Sequence, residues 1–99
     1  MKHFIQFSAG SVRDLQDLPA HLRASVVVAI ERHLVHQPDQ DSKSRIKRLR
    51  SLLHPQYRLR VGDIRVFYDI VGDCVEIAAV IPKHRTENWL AENSTPEIP

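Results

Sequence analysis

The segment from Tyr57 to Tyr68 limits the possible folds more than any other part of this chain, because it has the pattern of a β-hairpin. Gly62 and Asp63 form a suitable two-residue turn between two runs in which apolar and polar residues alternate. With this turn, the apolar residues pair across the strands: Val61 with Ile64, Leu59 with Val66, and Tyr57 with Tyr68. The segment therefore predicts a hairpin with one wholly apolar face.

The other face of this hairpin carries three arginines, Arg58, Arg60 and Arg65. In the same register Arg60 lies directly across from Arg65, and like charges at opposite positions of a sheet repel each other. An anion between the two side chains removes that repulsion. We therefore expect a phosphate-binding surface here, whereas the plainer interpretation is that the arginines are exposed strand residues without a ligand.

Basic residues are concentrated around the hairpin. The net charge of the chain is only +2, yet eight of its 14 lysines and arginines lie between positions 43 and 65, where Asp63 is the only acidic residue. The eight are Lys43, Arg45, Lys47, Arg48, Arg50, Arg58, Arg60 and Arg65. Such one-sided charge favours a polyanionic partner, nucleic acid or an acidic protein, although a solvated basic surface is the common outcome.

Length and composition indicate one domain. The 99 residues suffice for one modest core, and no apolar run approaches the ~20 residues of a membrane span. The amino terminus lacks the apolar core of a signal peptide, so we expect a cytoplasmic protein with no membrane partner. Cys74 is the single cysteine and allows no internal disulfide. His33 and His36 have helical spacing but no third ligand nearby in sequence, so we expect no metal and no cofactor.

A strand and a helix are expected at the start of the chain. Residues Lys2 to Phe7 alternate as a strand does. Ser8 or Ser11 is expected to cap a first helix that ends near Leu18. The residues of this helix that are expected to face inward are Val12 and Leu15.

A second helix is expected from Pro19 to about His36, because apolar residues recur at every fourth position. These residues are Leu22, Val26, Ile30 and Leu34. Together the two helices predict a helical hairpin. A polar loop over residues 37–42 follows, and the basic segment after it is expected to be a short strand or an irregular connector.

A third strand extends the predicted sheet. Gly72 and Asp73 form a second turn, after which the apolar residues stay in phase across three strands. The predicted pairs are Val71 with Cys74, Ile70 with Val75, Tyr68 with Ile77, Val66 with Ala79, and Ile64 with Ile81. On the opposite face, the residues beside the arginines are Phe67, Ala78 and Val80. The far end of this face carries two acids, Asp69 and Glu76. This face is therefore expected to have a basic end and an acidic end.

The end of the chain is expected to contain a short helix and a tail. Pro82 ends the last strand, and residues from Arg85 to about Glu92 are expected to form a final helical turn or two. We expect a single domain over residues 1–93 and a flexible carboxyl-terminal tail over residues 94–99.

These residues resemble the RelE/ParE superfamily of bacterial toxins from toxin–antitoxin pairs. The resemblance covers most of the chain and includes K-R-L-R, Y-R-L-R-V-G-D-I-R-V-F-Y and the late K-H-R-T-E-N-W. It implies an α+β fold, a small antiparallel sheet with the two amino-terminal helices packed on one face and an open concave face on the other. It also implies a cognate antitoxin as partner, whereas the oligomeric state does not follow from the sequence.

The resemblance implies two possible activities, because RelE-like members cleave mRNA in the ribosome and ParE-like members poison DNA gyrase. Fold alone does not decide between them. Our leading expectation is a RelE-like endoribonuclease that binds mRNA and the ribosome. The alternatives are a non-enzymatic ParE-like gyrase inhibitor and a catalytically silent member that only binds its antitoxin.

Carried over by position, the family's basic catalytic residues fall on cations of this chain. They correspond to Arg58, Arg60 and Arg65 and, near the end, to Lys83 or Arg85. The usual terminal tyrosine is replaced by Trp89, whose indole N–H is no acid at neutral pH, so His84 is the candidate proton donor. Trp89 is expected either to stack on a base or to pack the last helix. The residues expected to contact substrate or an acidic partner are Lys47, Arg48 and Arg50.

Overall fold

The computed structural model describes residues 1–98 and forms two β-sheets and three α-helices. The strands are β1 (Phe4–Phe7), β2 (Ile46–Arg48), β3 (Leu52–His54), β4 (Tyr57–Val61), β5 (Ile64–Val71), β6 (Cys74–Pro82) and β7 (Thr95–Pro96). The helices are α1 (Ala9–Asp17), α2 (Ala20–Leu34) and α3 (Thr86–Asn93), with a 3₁₀ turn at Lys83–Arg85. The predicted α+β class is confirmed. Within residues 1–98, no helix has the length and apolar content needed to cross a membrane.

The main sheet has five strands in the order β1-β6-β5-β4-β2. The four strands β2, β4, β5 and β6 pair antiparallel with one another, whereas β1 runs parallel to β6. The sheet is thus mixed rather than wholly antiparallel. The parallel edge follows from long-range pairing, for which a strand of four residues carries no local signal.

The predicted hairpin is confirmed in every pair. Val61 lies opposite Ile64, and Arg60 lies opposite Arg65. Both turn glycines, Gly62 and Gly72, have a positive φ near 60°, which a residue with a side chain adopts only with strain. The turns therefore hold the register of β4, β5 and β6.

The pairing of β5 with β6 is correct only as far as Tyr68 and Ile77. Beyond them a β-bulge leaves Ala78 unpaired, so Val66 pairs with Val80 and Ile64 with Pro82, and our pairs with Ala79 and Ile81 are wrong. One extra residue reverses the face of every later side chain. Val80 therefore lies in the core and is 1% exposed.

Helix α1 supports the sheet where β1 stops. Ser8 caps this helix, since its hydroxyl accepts a hydrogen bond from the Ser11 amide at 3.0 Å. The same hydroxyl donates to the carbonyl of the bulged Ala78 at 3.1 Å, and Asp14 accepts from the amide of Val80 at 3.0 Å. Side chains of α1 thus replace the strand that would otherwise pair with this part of β6.

One face of the sheet packs against the helices and forms the main core. The predicted inward row of α2 is confirmed, because Val26, Ile30 and Leu34 are buried and Leu22 packs against them. In α1 the expectation is wrong for Val12, which is 41% exposed, because Ser11 occupies the buried position instead.

Tyr57 and Tyr68 lie in this core as expected, with their rings stacked 5.5 Å apart. The Tyr68 hydroxyl donates to the carbonyl oxygen of Pro38 at 2.6 Å. Burial, with smaller effects from nearby groups, raises the pKa of Tyr68, so its phenol stays protonated. This bond fixes the loop after α2 to the sheet.

The chain end contributes a second, two-stranded sheet. Two residues of the expected tail, Thr95 and Pro96, form β7 and pair with β3, and the amide of Glu97 donates to the carbonyl of Ser51 at 3.0 Å. Pro99 lies outside the described residues. The domain boundary at residue 93 therefore stays a prediction.

Candidate functional site

Cations form two adjacent rows on the sheet face that is turned away from α2. Lys47 lies opposite Arg58, which in turn lies opposite Phe67. In the next row, Arg60 lies opposite Arg65. Four cations from three strands therefore share one end of the face, and the hairpin register predicts the three arginines but not Lys47.

These cations have no acidic partner. Within residues 1–98, the only ion pair joins His54 to Asp69. Arg58 is half-buried, and its Nε atom is buried without a hydrogen-bond partner. Lys47 and Arg60 are exposed. A buried donor without an acceptor is unfavourable, so an anion that reaches Arg58 would gain a ready hydrogen bond.

Arg65 is held more tightly than a free phosphate clamp would be. It is only 6% exposed, and its Nη1 donates to the carbonyl oxygens of Gly62 at 2.8 Å and Ile64 at 3.1 Å. Burial, followed by the charges of Arg58 and Arg60, lowers the pKa of Arg65, while Asp63 opposes this effect. In this conformation Arg65 therefore contributes positive potential from beneath the surface, and its role as a direct phosphate clamp stays a prediction.

Arg48 lies outside the two rows of cations, and its expected contact with substrate stays a prediction. Arg48 follows Lys47 in β2 and therefore points to the opposite side of the sheet, where its guanidinium lies 5.3 Å from the ring centre of Tyr57. It donates to the carbonyl of Gln56 at 2.7 Å. Arg50 lies in an exposed turn between β2 and β3. Only Lys47 of the three expected contact residues belongs to the two rows.

Helix α3 covers the middle of the face that we expected to be open. Trp89 stacks on Phe67 with ring centres 5.1 Å apart and planes inclined by 13°. The residues packed in the same cluster are Ala79, Ile81, Leu49 and Leu90. The bulge in β6 explains this cover, because it turns Ala79 and Ile81 toward α3. Trp89 thus packs the last helix, as one of our two interpretations predicts.

The late basic residues lie beside the row of Arg60 and Arg65. Lys83, His84 and Arg85 form the exposed 3₁₀ turn that follows β6, and the amide of Lys83 donates to the carbonyl of Asp63 at 2.7 Å. This bond ties the 3₁₀ turn to the hairpin turn. The structure therefore brings the two predicted groups of cations to the same end of the sheet.

Comparison with known proteins fits this arrangement of cations on a small sheet. Residues 5–89 match the family model described as the ParE toxin of the type II toxin–antitoxin system parDE. The chain belongs to the RelE/ParE superfamily of type II toxins. It is also similar to Toxin RelE3 of Methanocaldococcus jannaschii, with 30% identity over 77 residues that cover 78% of this chain and 86% of the relative.

Two solved toxin–antitoxin complexes contain a chain with the same fold as this RelE-like toxin. The toxin–antitoxin complex RelBE2 from Mycobacterium tuberculosis matches 83% of this chain and 99% of the solved chain, with a TM-score of 0.66 and 27% identity. The RelB–RelE complex from Methanococcus jannaschii matches 85% of this chain and 96% of the solved chain, with a TM-score of 0.67 and 25% identity.

The acidic end of this toxin's sheet face holds a pair that the sequence did not reveal. The Nδ1 atom of His54 is hydrogen-bonded to Asp69, whose other carboxylate oxygen accepts from the Gln56 amide at 2.8 Å. Glu76 lies opposite Asp69 on β6. Strand alternation predicts the position of Asp69, but His54 comes from outside the main sheet and no local pattern indicates the pair.

Proposed function

We propose that this RelE-like toxin is an endoribonuclease that cleaves mRNA on the ribosome. The observation that carries the proposal is the pair of cation rows without acidic partners, Lys47 with Arg58 and Arg60 with Arg65. Attack of a ribose hydroxyl on its neighbouring phosphate concentrates negative charge on the phosphate oxygens. Fixed cations lower the energy of that transition state, and they do so most effectively where water is partly excluded.

The residues have different roles in this proposal. Arg58 and Arg60 bind the phosphate at the scissile bond, and Arg65 strengthens the positive potential from below. Arginine remains protonated and therefore does not accept the proton of the hydroxyl, which passes to solvent water as the bond from the ribose oxygen to phosphorus forms and the bond to the leaving oxygen breaks. His84 supplies a proton to the leaving oxygen, and Lys83 and Arg85 hold the next part of the strand. Trp89 retains exposed ring surface on which a base can stack.

We also propose that a cognate antitoxin neutralises this toxin. The two similar solved structures are complexes of a toxin with its antitoxin. A partner that offers carboxylates to the two rows would supply the acidic groups that the toxin itself lacks there. The same contacts would exclude RNA from the face.

Cleavage of a message by translating ribosomes tests the proposal, with the 5′ ends of the fragments mapped. We expect new ends with the wild type and a loss of at least about 100-fold in cleavage rate for Arg58→Gln. Arg13→Gln, at an exposed arginine of α1, is the matched control and is expected to cleave normally. An intact message at high wild-type concentration would overturn the proposal.

Inhibition of DNA gyrase is the second candidate function. Trp89 packs over the middle of the face and narrows the space for an RNA strand, which favours this function. In addition, arginines stand at positions where RNA cleavage would need a residue that accepts a proton. Gyrase-dependent DNA breaks without any cleavage of message would support it.

A further inference from the structure

A basic pocket, separate from the two rows of cations, lies at the edge of the sheet beyond β2. The cavity measures about 330 Å³ and lies between the end of α2 and the segment that leads into β2. Its basic lining residues are Arg32, His33, His36 and Arg45. None of the candidate site residues that the sequence suggested lines this pocket.

The charge of this pocket has no acidic counterpart. No carboxylate is among its lining residues, and neither Arg32 nor Arg45 forms an ion pair within the described part of the chain. Burial and then the charges of Arg45 and Arg32 lower the pKa of His33. The pocket therefore holds an unfavourable concentration of positive charge that a bound anion would relieve.

The pocket is continuous with the cation rows on the sheet face. The amide of Arg60 donates to the carbonyl of Arg45 at 2.8 Å, which places these two residues side by side across the strands. Since Arg60 lies opposite Arg65, three arginines follow one another from the face to the sheet edge. Asp41 lies at the other end of β2, where it accepts from the Arg48 amide at 3.2 Å, so the path from Arg60 to Arg45 carries only basic residues of the two strands.

We propose that this edge pocket binds a phosphate of single-stranded RNA, the strand whose other phosphates lie on the cation rows. This inference rests on the proposed function, because it extends the same substrate beyond the face. Arg32 and Arg45 contribute guanidinium donors, and His33 and His36 contribute ring nitrogens. Arg45 directly precedes β2, so the RNA can pass from Arg60 to the pocket at the start of this strand, away from Asp41 at its end.

The composition of the pocket favours RNA over an acidic protein. Protein interfaces usually contain a buried apolar or aromatic centre, whereas interfaces with nucleic acid are more polar and more positively charged. Ile46 is the only apolar residue in the lining, and it is already buried in the core. The remaining lining residues are polar or basic.

Binding of RNA without cleavage tests this inference. The probe is a short fluorescent single-stranded RNA with every 2′-hydroxyl methylated, so that the attacking group is blocked. Affinity is measured by fluorescence anisotropy over a range of salt concentrations for the wild type, Arg32→Gln, Arg45→Gln and Arg58→Gln, with Arg13→Gln as the matched control. The Arg45 substitution retains the backbone carbonyl that pairs with Arg60.

We expect each of the two pocket substitutions to weaken binding several-fold and to make the slope of log K against log salt less negative by about 0.7 to 1. The imidazole pKa of His33, followed by NMR, should rise when the RNA binds, because a nearby phosphate favours the charged ring. His21, outside the pocket, is the control for this shift.

The outcomes separate this inference from the proposed function. Normal binding by Arg32→Gln and Arg45→Gln together with weak binding by Arg58→Gln would overturn the pocket alone. Weak binding by the pocket variants with normal binding by Arg58→Gln would uphold the pocket and contradict the role of the face. No binding by the wild type would overturn the pocket, whereas the proposed function is decided separately by cleavage of message on translating ribosomes. Weakened binding of a polyglutamate peptide with unchanged RNA binding would assign the pocket to an acidic protein and overturn the inference.

Discussion

Arg58 and Arg65 lie on the same face of the sheet but carry their charges in different surroundings. Arg58 keeps a buried nitrogen without a partner, whereas the guanidinium of Arg65 bonds to the carbonyls of its own hairpin turn. Strand alternation predicts the shared face correctly. It does not predict the direction of a long, flexible side chain, which depends on the acceptors that the fold brings within reach.

Replacing Arg65 by methionine tests whether this buried charge supports the fold. We expect the free energy of unfolding to stay the same or to rise by up to about 2 kcal/mol, because an apolar side chain of similar length avoids the cost of desolvating a charge. RNA affinity should fall. Urea unfolding measures the first effect, with the exposed Arg60→Met as control. A loss of about 3 kcal/mol would show instead that the bonds of Arg65 hold the turn together.

Replacing His33 by glutamine is expected to change the dependence of stability on pH. Because the pKa of His33 is lower in the folded chain than its ordinary value near 6.5, the unfolded chain binds more protons as the pH falls. The contribution of His33 to stability therefore falls as the pH drops below about 6.5. We expect His33→Gln to remove this part of the pH dependence in urea unfolding, and Arg13→Gln, which removes no group that titrates in this range, to retain it. An unaltered decline in His33→Gln would contradict the expectation.

At the scale of elements, the bulge at Ala78 determines which parts of β6 face each side of the sheet. Apolar alternation is equally compatible with a straight strand, because Ala78, Ala79, Val80 and Ile81 are all apolar. The sequence therefore predicts the strand and its turn but not the bulge. The position of α3 depends on the bulge, so the sequence does not predict it either.

Deleting Ala78 should leave the faces of β6 unchanged, because Ile77 and Ala79 keep their partners Tyr68 and Phe67 and then follow one another in a regular ladder. The deletion removes the bulge and its hydrogen bond from Ser8, so we expect a loss of about 1 to 2 kcal/mol in the free energy of unfolding. Ala78→Gly keeps the residue count and is the control, with an expected loss of about 1 kcal/mol or less. Urea unfolding followed by circular dichroism measures both. A loss of about 3 kcal/mol or more for the deletion would show instead that the later residues of β6 change faces.

Trp89 is expected to be the main anchor of α3. Replacing it by alanine removes the stack on Phe67, and because the ring is only half-buried we expect a loss of about 2 kcal/mol. Trp89→Phe keeps an aromatic ring in the stack and should lose less than half as much. Circular dichroism during urea unfolding measures both, since the only tryptophan is removed. Equal losses would show that the contact between the rings contributes little.

At the scale of the molecule, the sequence predicts the elements whose pattern lies within one short segment of the chain. The hairpins, the buried row of α2 and the basic end of the sheet follow from alternation, turn glycines and helical spacing. The parallel edge at β1, the pairing of β3 with β7 and the bond between His54 and Asp69 join distant segments, with sequence separations that leave no local pattern. The strand register thus predicts the basic part of the candidate site, whereas the contacts with His54 depend on tertiary structure.

A chain that ends at Asn93 tests the predicted domain boundary. The lost strand β7 has only two residues, both exposed, so we expect the shortened chain to unfold cooperatively with a loss of about 1 kcal/mol. Urea unfolding monitored by both fluorescence and circular dichroism should give a single shared transition. Two separate transitions, or no folding, would place the last residues inside the folding unit.

The arginines without acidic partners also affect how long the isolated chain survives. Folding brings Arg58, Arg60 and Arg65 together, and that repulsion is absent from the unfolded chain. Any anionic ligand that binds only the folded form raises its stability by mass action, in proportion to the logarithm of ligand concentration over Kd. We therefore expect the unbound toxin to be the form most exposed to proteases, and its lifetime to rise with the concentration of any anionic ligand that binds only the folded chain.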